Sequence, residues 1–160
     1  MSKREEEGYE MKLAEALLLR TEYQKKIGSL QSRIIANLKV QENDKPNENP
    51  EELLKEVLLI NDKLCSLIKD INARNNTVTL PNGQILAQAL VDRDVIVKKR
   101  NFLANITDNA NERNFRLTRS EIKMYVALSI SELQKQIDDL SRDFRELDTQ
   151  IQALNWNVDL

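Results

Sequence analysis

Histidine is absent from this chain, and cysteine occurs once, as Cys65. Without an imidazole there can be no His-based catalytic triad, no HExxH zinc helix and no Glu-x-x-His di-iron site. A single thiol permits neither an internal disulfide nor a structural zinc site, and the expected compartment is the cytoplasm. Cys65 lies in the apolar run of a helix and is expected as a small buried core residue rather than an activated nucleophile. Glycine and proline number three each. Gly8, Gly28 and Gly83 are too scattered to build a phosphate-cradling loop or a dinucleotide fingerprint. The longest apolar clusters, 16–19 and 57–60, fall far short of the roughly 18 residues a membrane span requires. The charged N-terminus has no apolar segment of the signal-peptide type, so no targeting sequence is expected. With 24 basic and 26 acidic residues the net charge is −2, which supplies no global drive toward nucleic acid or an anionic membrane. No catalytic residue, cofactor, metal site or enzymatic activity is expected.

Few breakers, aromatics at 4% and charged residues at 31% favour long helices over a sheet. The expected fold is mainly α: an antiparallel bundle of about four helices, with a long heptad C-terminal helix and a small two-stranded β element as an option. Residues 1–10 form a charged extension, expected to be disordered, and 11–160 a single helical domain. A helical hairpin covers 12–74. In its first helix, expected over 12–41, Leu19, Tyr23, Ile27, Leu30, Ile34 and Leu38 recur on one face. Its second helix begins with Asn49 as N-cap, Pro50 at N1 and Glu52 at N3, then carries Leu53, Val57, Ile60, Leu64, Leu67 and Ile71 inward. Leu80, Pro81, Asn82 and Gly83 form a turn. A third helix over 84–109 has Arg93 on its apolar stripe, where a guanidinium must meet a carboxylate or reach outward. The segment 111–128 is expected to be a strand or extended loop, with a ragged helix as the alternative; Ile122, Met124, Val126 and Leu128 alternate and could pair with 77–80.

The heptad helix, 131–155, gives the strongest pattern. Ser131 is its expected N-cap, with Gln134 three residues on for a capping box. Leu133, Ile137, Leu140, Phe144, Leu147, Ile151 and Leu154 follow in steps of four and three, a period that calls for a partner helix along the seam. Trp156 is expected to plug the end of that seam. Asp139 and Asp143 could hold a hard cation, but a solvated charged face beside Arg142 and Arg145 is the preferred reading. Charge is uneven along the chain: 98–123 carries Lys98, Lys99, Arg100, Arg113, Arg116, Arg119 and Lys123 against three acidic residues, and 131–160 carries three basic residues against seven acidic.

Several strings occur together: Met11-Lys12-Leu13-Ala14-Glu15-Ala16-Leu17, Val40-Gln41-Glu42 before Pro46, Ala89-Leu90 with Arg93-Asp94, Arg119-Ser120-Glu121-Ile122-Lys123, and Leu147-Asp148 through Ile151-Gln152 to Asn155-Trp156. In this order the chain resembles a family of small, functionally uncharacterised bacterial proteins labelled septicolysin. The resemblance implies a helical fold and a bacterial source, and the label implies a membrane-active cytolysin. It carries no catalytic residues.

The leading functional expectation is a non-enzymatic helical scaffold or interaction protein that self-associates through the seam into a homo-oligomer. The alternative is binding of nucleic acid or a phosphorylated ligand by the basic stretch 98–123. There Arg116, Arg119, Glu121 and Lys123 make either a ligand face or an ion-pair seam. The cytolysin reading ranks third, and a carboxylate-dependent metalloenzyme last.

Overall fold

The computed structural model describes residues 10–111 and 125–160. They form four helices: α1 (Leu13–Ala36), α2 (Pro50–Asn75), α3 (Leu86–Asn111) and α4 (Ile130–Asn157). Among the described residues there is no strand, only the isolated bridges Lys12 to Asp159 and Thr79 to Ile85. The chain sorts into two compact units, residues 10–78 with 152–160, and residues 79–151.

The first unit is built on the α1–α2 hairpin. Its core is Leu30, Leu53, Val57 and Ile60, with Tyr23, Ile27 and Ile34 packed against them. These are the residues whose spacing of three and four predicts one buried face per helix. Asn49 caps α2 as expected, its side-chain oxygen accepting the Glu51 N–H at 3.0 Å, and Pro50 occupies the first turn. The α1 helix ends at Ala36 and not near residue 41. Asn37 explains the early stop. Its side-chain amide donates to the Arg33 carbonyl at 2.9 Å, while its oxygen accepts the Glu48 N–H at 3.1 Å, tying the loop to the helix end. Leu38, expected inward, is consequently exposed, and the buried residue beside it is Asn37.

Cys65 is exposed, which corrects its assignment to the core. The buried stripe of α2 runs through Leu67 and Ile71 with Leu64 half-buried, and each step of one residue turns the helix by about 100°. Cys65 follows Leu64 and is carried off the stripe by that rotation.

The other end of the first unit is clasped by the C-terminal tail. Leu13 N–H donates to the Val158 carbonyl and Leu160 N–H to the Met11 carbonyl, both at 2.8 Å. The Lys12 ammonium reaches Asp159 at 2.5 Å, and Arg74 Nε donates to the Asp159 carbonyl at 2.6 Å. This pairing of 11–13 with 158–160 has no counterpart among the sequence expectations, which sought a strand pair between 77–80 and 122–128. Thr79 instead bridges Ile85 across its own turn. There Gly83 N–H donates to the Leu80 carbonyl at 2.9 Å and Leu80 N–H to the Gln84 carbonyl at 2.8 Å, with Gly83 at φ +85°. Residues 122–124 lie outside the described residues, and 125–128 carry no strand.

In the second unit, α3 and α4 run antiparallel. The contacts pair rising numbers in α3 with falling numbers in α4: Arg93 with Asp148, then Arg100 with Phe144. The α4 helix starts earlier than expected. Its cap is Ser129, whose hydroxyl accepts the Glu132 N–H at 3.3 Å, and not Ser131. Ser129 and Glu132 stand in the S-x-x-E spacing of a capping box, whereas Gln134 donates along the helix to Asp138 at 3.0 Å.

Candidate functional site

Of the residues singled out in the basic stretch, Arg116, Arg119, Glu121 and Lys123 lie outside the described residues, as do Arg113 and Phe115. Lys98 and Lys99 are exposed on α3, while Arg100 is half-buried, with its guanidinium carbon 6.0 Å from the centre of the Phe144 ring. That distance suits a cation–π contact, so the Arg100 charge is engaged within the unit.

The seam of α4 is inward-facing throughout. Ile151 is fully buried, and Leu133, Ile137, Leu140, Phe144, Leu147 and Leu154 are half-buried. Trp156 is 55% exposed; the buried residue on its turn is Asn155. The difference follows from the period, because Asn155 directly follows the seam residue Leu154 whereas Trp156 lies a further 100° round the helix. Arg93 makes the ion pair that its position requires, with Nη1 2.8 Å from Asp148 Oδ1. Farther along, a groove of about 370 Å³ lies between the two helices, lined by Lys99, Phe102, Leu103, Gln136, Asp139, Leu140 and Asp143. Its two carboxylates are bridged by Arg142, at 3.0 Å from Asp139 and 3.5 Å from Asp143, which makes them a charged helix face. Among the described residues, no cluster of three or more His, Cys, Asp or Glu side chains is arranged to hold a metal.

The α1–α2 hairpin has two unlike sides. On one, Lys26 pairs with Glu56 at 2.8 Å and Arg33 pairs with Glu48, its Nε 3.0 Å from Glu48 Oε2. These contacts set the electrostatics. The hydrogen bond from Arg33 holds the Glu48 carboxyl below its ordinary range, and the hydrogen bond from Lys26 does the same for Glu56; partial desolvation opposes both. The Arg33 guanidinium is correspondingly held above its ordinary value by Glu48. The opposite side is apolar: Ile35, Leu54 and Leu58 are exposed there, with Cys65 continuing the line. Sequence reasoning placed the inward stripes but passed over this outer one, whose signal is a second run in α2, residues 54, 58, 61, 65 and 68, in steps of four and three.

No helix among the described residues is long and apolar enough to cross a membrane. A model of a family of unknown function, DUF6847, matches residues 20–160, and the chain belongs to that family. The chain is similar to the crystal structure of a functionally unknown conserved protein from Corynebacterium diphtheriae. The identity is 37% and the TM-score 0.88, with 94% of this chain and 99% of that one covered. No curated protein matches. A helical family of unknown function with a bacterial relative is therefore established, and the septicolysin label finds no support in these comparisons.

Proposed function

We propose that this member of the DUF6847 family is a non-enzymatic helical interaction protein that works as a homo-oligomer in the cytoplasm. One observation carries the reading. Among the described residues, sixteen large apolar side chains are exposed, against thirteen hydrophobic side chains that are buried. Single exposed leucines are ordinary, but four of these side chains stand in pairs one turn apart on helices that also carry buried residues: Leu54 and Leu58 on α2, Val91 and Val95 on α3. A helix apolar on more than one side is expected where further protein covers it. An exposed thiol at Cys65 suits a reducing compartment.

Catalysis has no comparable support. The carboxylates that could have served it, Asp139 and Asp143, are engaged by Arg142, and Arg93 and Asp148 neutralise each other. Size exclusion with light scattering tests the reading. The expected result at micromolar concentration is a mass that is a multiple of the 18.5 kDa chain. A monomer across that range would refute it.

A further inference from the structure

We infer that the apolar side of the α1–α2 hairpin docks on the same side of a second copy of this chain, with the two α2 helices antiparallel about a two-fold axis at the level of residue 59. The inference rests on the self-association reading and names the surface that achieves it. In α2 the buried stripe is Leu53, Val57, Ile60 and Leu67, and the ion-pairing edge lies to one side of it at Glu56. Turning the other way brings Leu54, Leu58, Asn61 and Cys65 to the surface, a row in steps of four, three and four. In α1 the same turn away from Leu30 and Ile34, opposite to Lys26 and Arg33, brings out Ile35. Because the two helices are antiparallel, these turns lead to one side of the hairpin. Ile35 is 61% exposed, Leu54 49% and Leu58 56%. Asn61 donates one amide N–H back to the Val57 carbonyl at 3.1 Å, which holds the side chain along its own helix.

Charge points to the occupant. The rim of the row carries Lys55 and Asp62, one heptad apart on the same edge. Neither has an ion-pair partner among the described residues. A two-fold axis between them sets Lys55 against the partner's Asp62 and repeats the pair on the other side of the axis, as an isologous contact requires. A parallel arrangement in register would instead set like charge against like. The antiparallel arrangement also puts Cys65 beside the partner's Leu54 and far from the partner's Cys65.

Analytical ultracentrifugation of the full chain tests this, with circular dichroism confirming that each variant keeps its helices. Leu58→Asp places two carboxylates near the axis and should raise the dissociation constant about 100-fold or more, the size of a central interface residue. Lys55→Glu should weaken association about 10-fold, and Lys55→Glu combined with Asp62→Lys should restore it to within about 3-fold, since the swap re-creates both pairs. Under mild oxidation Leu54→Cys should form inter-chain disulfides with Cys65, and the unaltered chain should form none through Cys65 alone. An oligomer that Leu58→Asp leaves intact would overturn this surface while self-association stands. A Cys65 to Cys65 cross-link, or a charge swap that fails to restore association, would overturn the antiparallel arrangement. A monomeric unaltered chain would overturn both this inference and the reading beneath it.

Discussion

Replacing Arg93 by Met should destabilise the second unit by about 1–2 kcal/mol, and the size follows from the geometry of one contact. The guanidinium stands 2.8 Å from Asp148, with the two side chains 25% and 30% exposed. At an effective dielectric constant of about 20, two unit charges at that separation attract by about 6 kcal/mol. Partial burial costs each ion much of its hydration, and the exposed fraction lets water screen the pair, so most of that attraction is offset. Met keeps the aliphatic stem in place, which confines the loss to the charge and its hydrogen bond. Asp148 also takes part in a further interaction and is not orphaned by the change. The informative variant is the double substitution, Arg93→Met with Asp148→Leu. An apolar pair of similar volume should recover part of that loss, because the desolvation cost vanishes along with the attraction, while the further interaction of Asp148 is given up. Urea unfolding followed by circular dichroism would give the double-mutant cycle. A coupling energy below about 0.3 kcal/mol, the level at which independent sites add, would refute a stabilising role for this pair.

Three other outcomes follow from the same structure. Ser129→Ala should lose about 1 kcal/mol of stability while Ser131→Ala stays within about 0.5 kcal/mol, since only Ser129 caps α4; equal losses in urea unfolding would contradict the cap assignment. Glu48 and Glu56 have lowered pKa values in the fold, so their stabilising contribution is complete above the ordinary carboxylate value and is lost as pH falls through the lowered ones. Thermal melts of the unaltered chain and of Glu48→Gln with Glu56→Gln should therefore differ at neutral pH and converge in acid, and curves that stay parallel would dismiss the ion pairs as contributors. Gly83→Ala should cost about 1–2 kcal/mol. Because a Cβ there meets nothing within 4 Å, that cost would come from the φ of +85° alone, and Gly83→Asn should recover part of it.

The helices were legible because their signals are local and redundant. Asn49 with Pro50 marks a start by two independent preferences, and the inward rows of α1 and α2 each repeat over several turns. Arg93 was legible for a related reason: a charge on an apolar stripe has few physical solutions, and Asp148 is one of them. Failures came where one residue has two local options or where the partner is remote in sequence. Ser129 and Ser131 both suit a cap, each with a Glu or Gln three residues on, Glu132 and Gln134, so the local pattern fits either. Lys12 and Asp159 are 147 residues apart, and nothing in either neighbourhood announces the other. Asn37 ends α1 through a bond to Glu48 across the loop, so an apolar period that continues to Leu38 overran the true boundary.

The strictest heptad in the chain lies on α4, and within the second unit its residues from Leu133 to Ile151 are half-buried or buried, on a helix that contacts α3 through Arg93 with Asp148 and Arg100 with Phe144. The less regular run on α2 is the one left uncovered. Asn61 and Cys65 break its apolar character, and it shares the helix with a stronger inward stripe, so a search for the best period finds the stripe and passes over the run. The two signals carry different information. A strict period says that a helix has a partner, and says nothing about which chain supplies it. A second, weaker period on a helix whose first face is already packed marks a surface that the described residues of its own unit leave exposed. For the assembly proposed above, the weaker pattern, residues 54, 58, 61 and 65 with Lys55 and Asp62 on their rim, is therefore the one to test first.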